Sequence, residues 1–459
     1  MKPQEIQHLY WRAGFGILPK PLHDLQKKSK KAVLNDLFFK SKNDSPLRID
    51  TSEIDHLLTN KGKLSDDEKK KIQQYSRKKL IELNAAWIHR LGTTDAVLRE
   101  KMTLFWANVF VCRDNNVAYM QRYNNTLRQH ALGDFRAFVN AISKEAAMTK
   151  YLNTQQNKKQ KPNENFAREL MELFTLGEGH YTEQDIKESA RAFTGYSHNL
   201  KGDFVLRRFQ HDQGEKTFFG KTGNFNGEDI VDIILEQEQC ARFISKKIYK
   251  YFVNDSIDEN HVEAMTRVFY KDYNIANLMH FIFNSDWFYD AKHIGSKIKS
   301  PIEFMVGMNR LVPIQFSKPR QLLYIQKQLG QILLDPPNVA GWKGGRNWID
   351  SNTIVLRLKL PSMLLNNAYI SKAEVGEEDT MINVKKNVFK KGFGKRMDIN
   401  CDWETFTKNF NSISINELQN YILAGAMNPD TKQYIEGLEK VSKKEYSIQL
   451  MSLPEYQMC

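Results

Sequence analysis

The chain has 459 residues, 41% apolar and 11% aromatic, which is enough to bury a core and too much for wholesale disorder. Its net charge of +13 admits an anionic ligand or surface as partner, but no helix-turn-helix, zinc-finger spacing or aromatic-interleaved basic stretch points to nucleic acid. No run approaches the ~18 apolar residues of a membrane-spanning helix and the first residues lack an apolar signal core, so neither a transmembrane segment nor a cleaved export signal is expected, and a cytoplasmic location is.

Helical periodicity dominates in chain order. Glu5–Ala13, Pro21–Phe39, Ser65–Gly92, Thr94–Arg113 and Met120–Ser143 read as amphipathic helices, followed by Asp229–Val253, Asp258–Tyr270, Ile275–Asn284, Ser300–Leu311 and Arg320–Gly330. The expected fold class is therefore mainly α, an irregular multi-helix domain. The connections are mostly short, without a long Pro- or Ser-rich linker, so residues 1–370 are expected to form one helical domain. Periodicity is lost over 371–402, the expected insertion or linker, and returns in a C-terminal helical segment over 403–459. The lysine runs, among them Lys27-Lys28, Lys69 to Lys71 and Lys385-Lys386, read as a solvated basic face. Cys112, Cys240, Cys401 and Cys459 form no CxxC pair and are expected to be ordinary thiols.

The densest set of ionisable side chains lies between Lys161 and Tyr196. A helix over Asn163–Leu176 places Glu164, Arg168 and Glu172 on one stripe, with Phe166, Leu170, Leu173 and Phe174 on its apolar side. Asn163 and Asn165, flanking Glu164 just after Pro162, can cap this helix or present its donors to an anion. A second helix is expected to open just after Tyr181, at Thr182, whose spacing to Asp185 resembles a capping box, and to stop at Gly195. Glu169 and Glu172 lie three apart on the first helix, as do Asp185 and Glu188 on the second. Should the hairpin fold these faces together, the carboxylates could hold a divalent cation or raise one another's pKa for acid/base work. The same spacings, with Arg191, also describe an ordinary ion-pair network, and the Glu-x-x-His of di-metal bundles is absent.

Further on, Asp203 to Phe219 alternates like a small β-hairpin with His211 and Asp212 at its bend. The loop Pro336 to Gly345 is too rich in proline and glycine to continue a helix. Its Trp342, with Trp348 beyond, can offer a stacking platform to a ligand or plug the core. Neither Gly14-Phe15-Gly16 nor Gly220 to Gly223 fits a phosphate loop, and HExxH, GxSxG and kinase signatures are missing.

Two function classes follow. In the first and leading one, a hydrolytic or transfer enzyme with a polar cleft built by the Asn163 to Thr194 helical hairpin and the His211 hairpin, Glu169 or Glu172 is the general base, Arg168 or Arg191 stabilises an anion, and His211, with Asp212, shuttles a proton. In the second, a non-catalytic binding or assembly protein, the same residues form a salt-bridge network. No cofactor and no metal ligand set is indicated.

Eight collinear segments from His8 to Leu358 resemble the bacterial DUF1800 family: HLYWRAGFG, LREKMTLFWANVF, RQHALGDFRAFV, PNENFARELMELFTLGEGHYTEQDIKESARAFTGY, HDQGEKTFFGKTGNFNGEDIVDIIL, CARFISKKIYKYFV, SPIEFMVG and LGQILLDPPNVAGWKGGRNWI. The resemblance carries no established reaction; it implies that the PNENFARELMELF, YTEQDI, HDQGEKTFFG and PPNVAGW segments belong together. Family members often carry a His-Asn-His-Phe run where this chain has Ala107-Asn108-Val109-Phe110. If those histidines serve a metal in relatives, two ligands are lost here, and His8, His130 and His211 are the imidazoles left to consider.

Overall fold

The structure, a computed structural model, describes residues 1–54, 65–366, 398–425, 427–437 and 442–459. Helix accounts for 62% of the described residues, and strands appear among them only as three two-stranded antiparallel sheets, so the fold is mainly α with small hairpins. Several long helices read from periodicity are pairs. Pro21–Phe39 is split into Pro19–Gln26 and Lys30–Lys40, because the Ser29 hydroxyl accepts the Ala32 N–H and starts a new helix. Met120–Ser143 divides likewise into Val117–His130 and Phe135–Lys144, with Asp134 capping the second through Ala137 N. In each case a local cap interrupts an apolar stripe that continues past it.

The described residues fall into two compact units. One comprises Ser29–Asp290 and Ile332–Trp342. Its core is an aromatic cluster in which Trp106 stacks on Phe110 and meets Phe138 edge-on, with all three fully buried. Beside it the buried Arg128 guanidinium donates to Glu100 at 2.5 Å and 3.2 Å, and Trp87 Nε1 donates to the same carboxylate at 3.2 Å, so a charge removed from water keeps its hydrogen bonds.

Strands Tyr196–His198 (β1) and Phe204–Leu206 (β2) pair with each other, as do Lys216–Phe218 (β3) and Lys221–Gly223 (β4). The hairpin expected over Asp203 to Phe219 is therefore corrected: both of its ends are strands, but each takes a sequence-near partner outside that span. The positive φ of Phe219 and Gly220 makes the tight β3–β4 turn, and His211-Asp212 lies in the connection between the two hairpins.

The other unit comprises Met1–Lys28, Ala291–Gln331 and Lys343–Cys459. At its centre the buried Lys299 ammonium sits 3.7 Å from the Trp11 ring centroid and 3.8 Å from that of Tyr456, and donates to the Tyr456 carbonyl at 2.7 Å. Arg357, also buried, donates to the Lys299 carbonyl and to Gln457 Oε1. Ile314–Phe316 (β5) pairs with Ile399–Cys401 (β6). Of the expected insertion over 371–402, residues 371–397 lie outside the described residues, as does Lys385-Lys386. The C-terminal segment runs as short helices, Trp403–Asn409, Gln419–Ile422, Pro429–Glu436 and Lys443–Met451.

Candidate functional site

The helix expected over Asn163–Leu176 is α-helical only over Asn165–Glu169 and then widens into a π-helix over Leu170–Thr175. The Thr175 hydroxyl bonds back to the Leu170 carbonyl, and Leu176 and Gly177 N both reach the Met171 carbonyl, which closes the wide turn. Gly177 has φ +88°, and a Cβ there would meet the Phe243 ring at 2.9 Å, so the exit demands glycine. At the start, Asn163 Oδ1 accepts the Asn165 N–H at 3.1 Å, a local capping role, and its own N–H is held by Asn157 Oδ1.

Arg168 reaches back to Glu164 at 3.3 Å and across to both oxygens of Glu183 at 3.0 Å, a bidentate pair. Glu183 is a partner that helix-stripe reasoning did not single out, because it belongs to the following helix. All of these side chains are at least a third exposed, so the pair stabilises little. Glu172 accepts from the Tyr181 hydroxyl at 3.0 Å, which together with burial lifts the phenol to about 12. Glu169 is half-buried, and no side-chain hydrogen bond engages it among the described residues. Burial, then the neighbouring Glu172, push its carboxyl up, against the pull of Arg168.

The second helix spans Glu183–Ala192 and opens with the expected capping box: Thr182 and Asp185 exchange bonds at 2.9 Å and 3.1 Å. Its inward carboxylates face β3 and its turn instead of the first helix. Asp185 Oδ1 accepts Phe219 N at 3.1 Å, and Glu188 Oε2 accepts Thr217 N at 3.1 Å while Oε1 accepts from Gln184. Arg191 joins the two sides, donating to Glu188 at 2.7 Å and to Asp212 at 2.8 Å and 3.4 Å. Asp212 Oδ1 also takes the Gly214 N–H at 2.8 Å, and its own N–H is held by the Thr194 hydroxyl at 2.7 Å. Burial pushes the Asp212 carboxyl up, but the Arg191 bonds and the Gly214 N–H outweigh this and hold it below its ordinary value. Lys216, almost fully buried, donates to the carbonyls of Asp212 and Gly214, and burial lowers its pKa.

His211 Nδ1 lies 2.8 Å from the Thr194 carbonyl, so this nitrogen carries the proton, and the neighbouring Asp212 turns to Arg191. His211 and Asp212 do not form a direct proton-transfer pair. Gly195 explains the approach of chain to chain here: its φ is +78° and a Cβ would meet the Arg207 carbonyl at 2.7 Å.

Two expectations are thereby corrected. Asp185 and Glu188 are drawn to β-strand amides, away from Glu169 and Glu172, and among the described residues no three His, Cys, Asp or Glu side chains gather as a cation would need. Trp342 is no open platform: it is only 8% exposed. Its loop is fastened by Asn108, whose amide exchanges bonds with the backbone of Trp342 at 2.7 Å and 3.0 Å. Gly341, at φ +75°, lets Asn108 approach so closely that a Cβ would overlap it at 2.2 Å. Asn108 thus helps to dock the PPNVAGW loop. Of the other imidazoles, His130 stacks on Phe138 and His8 is buried in the other unit. The four cysteines are free thiols.

The profile of DUF1800, a protein family of unknown function, matches residues 8–458. This chain belongs to the DUF1800 family. Neither curated proteins nor solved structures give a match. The segments PNENFARELMELF, YTEQDI and HDQGEKTFFG lie together at the Arg168 and Arg191 clusters. Among the described residues, no helix of this DUF1800 chain is long and apolar enough to cross a membrane.

Proposed function

We propose that this chain is a non-catalytic binding or assembly protein, in which the charged hairpin is a clamp that fixes residues 211–223 against the Glu183–Ala192 helix. The observation that carries this reading is the double engagement of Glu188 and Asp212, each held by Arg191 and by a backbone N–H. Both oxygens of Glu188 and of Asp212 are engaged within the protein, which supports a structural role for these two carboxylates. The net charge of +13 supports an anionic partner. Asp212→Asn and Glu188→Gln are expected to lower Tm and speed hydrogen exchange over 211–223, and retention on immobilised heparin is expected to fall as salt rises. Unchanged Tm and exchange in both variants remove the clamp; no retention at low salt removes the anionic partner.

A second reading, a hydrolytic or transfer enzyme using carboxylates, is favoured by one specific observation. Glu169 is half-buried, raised in pKa and free of side-chain hydrogen bonds, three residues before Glu172 and against a π-turn of the kind often found at functional sites. In this reading Glu169 or Glu172 is the base and Arg168 meets an anion. Substrate screening with hydrolysable esters and phosphoesters tests it: any turnover must collapse in Glu169→Gln or Glu172→Gln, and turnover that survives both excludes these residues as the base.

A further inference from the structure

Strand β2, which lies within the same unit as the hairpin clamp, has one open side. Asn199 N donates to the Asp203 carbonyl at 2.9 Å and Arg207 N to the Gly195 carbonyl at 2.8 Å, and Val205 stands opposite Ser197 in the register. Residues 203, 205 and 207 therefore turn their backbone groups toward β1. The alternation of an antiparallel strand then aims the N–H and C=O of Phe204 and Leu206 the other way, where the two-stranded sheet ends. No hydrogen-bond partner meets these four groups among the described residues.

Apolar side chains accompany this edge. The Phe204 ring turns inward, edge-on to Tyr196, whereas Val205 and Leu206 are exposed. The chain runs on into a short 3₁₀ turn, Arg208–Gln210, whose Phe209 is 71% exposed. Exposed apolar residues beside unanswered strand donors and acceptors form the kind of edge that proteins usually blunt or cover.

Cations gather at its end. Arg207 and Arg208 are exposed and form no ion pair among the described residues. Lys159 N donates to the Gln210 carbonyl at 2.8 Å, which fixes the exposed Lys158, Lys159 and Lys161 next to the turn. Asp203, the acid at the head of the strand, is already answered by Arg122 at 2.7 Å and by Asn199 at 3.0 Å.

We propose that β2 captures an extended acidic segment of another protein, which adds to the sheet as a third strand. Its backbone exchanges bonds with Phe204 and Leu206, its β-branched side chains cover Val205, Leu206 and Phe209, and its carboxylates meet Arg207 and Arg208. Charge selects this occupant over a second copy of the same edge, because two copies would gather the cations of both at one seam with no free carboxylate to answer them. A sulfated glycan would answer the cations and leave the strand edge unpaired. The inference rests on the anionic-partner reading and names its surface and the chemistry of the partner.

Fluorescence anisotropy on the full chain tests it with a labelled heptapeptide that carries Val-Thr-Val between two pairs of glutamates, so that either strand direction brings acids to the arginines. Saturable binding is expected, with hydrogen exchange of the Phe204 and Leu206 amides slowed. A peptide of equal charge with Pro-Thr-Pro at its centre should bind roughly ten-fold more weakly. Leu206→Pro removes an outward N–H and no bond to β1, and is expected to weaken binding roughly ten-fold. Reversing both charges, with Arg207→Glu and Arg208→Glu together, should abolish binding, and Phe209→Ser should weaken it. Both leave Tm unchanged, which keeps the test decisive if Leu206→Pro does not fold. The inference is overturned by no saturable binding at about 1 mM peptide, by equal binding of the proline peptide, or by binding indifferent to both Leu206→Pro and the charge reversal. It is also overturned if the chain alone sediments as a dimer that Phe209→Ser dissolves, since a second copy then owns the edge. Heparin retention without peptide binding removes this edge and leaves the anionic partner standing.

Discussion

The Arg191 cluster and the buried Glu145 carboxylate belong to the same unit and draw on the same residue types, yet their acids are satisfied to different degrees. At Arg191 each acid is met by a guanidinium and a backbone N–H from a segment that has to be fixed in place. At Glu145, between the Phe135–Lys144 and Ala146–Tyr151 helices, Oε1 accepts from the Thr126 hydroxyl at 2.5 Å, while Oε2 has no hydrogen-bond donor among the described residues and faces only Arg122 Nε at 3.9 Å, although the side chain is removed from water. Complete hydrogen-bonded pairing yields rigidity, whereas a buried acceptor met only by a more distant cation keeps part of its desolvation cost. Density of charge in the sequence is therefore a poor guide to how completely each acid is satisfied.

Substitutions can break or sharpen that contrast. The largest effect is expected from Gly195→Val, which sets a branched side chain at φ +78° against the Arg207 carbonyl; a loss of about 3 kcal/mol in chemical denaturation is expected. Asp212→Asn comes next, at about 2 kcal/mol, because it leaves a partly buried Arg191 with weaker acceptors. Its pH dependence has a definite sign. The folded carboxyl titrates below its ordinary value of 3.8, so the wild-type advantage is present above that pH and disappears as acid protonates Asp212 in the folded state. Glu145→Gln should behave in the opposite sense. Its folded pKa is raised above the ordinary 4.5, so the ionised form is penalised as pH rises past the folded pKa, and the variant should match wild type near pH 4 and exceed its Tm at pH 7. If Glu145→Gln is instead destabilising at pH 7, the carboxylate is internally satisfied and the contrast fails. Arg168→Gln is expected to leave Tm nearly unchanged, since its ion pairs are exposed.

Much of the hairpin was legible in advance. The Thr182–Asp185 box and the Glu164–Arg168 spacing appear where residue type and interval place them, whereas the helix stops at Ala192, three residues before the left-handed Gly195 that was expected to end it. The π-turn after Glu169 was not, since Leu170 to Thr175 reads as an ordinary apolar stripe and the extra residue per turn shows only in the carbonyl that each amide reaches. The docking of segment 46–52 left no signal at all. Gln121 and Asn125 resemble any polar helix residues until the backbone of Leu47 and Ile49 is laid beside them.

What the sequence by itself determined is the mainly helical class, the caps that start the helices and the family, because these depend on residue type, on spacings within one helical turn and on collinear order. What only the tertiary structure decided is which partner each polar group takes: Arg191 with Asp212, Asp185 with Phe219 N, Asn108 with Trp342, and Glu145 with Thr126 and Arg122. These choices join positions from about twenty residues to more than two hundred apart, and no local spacing encodes them, since the chain must fold back before either group can sense the other.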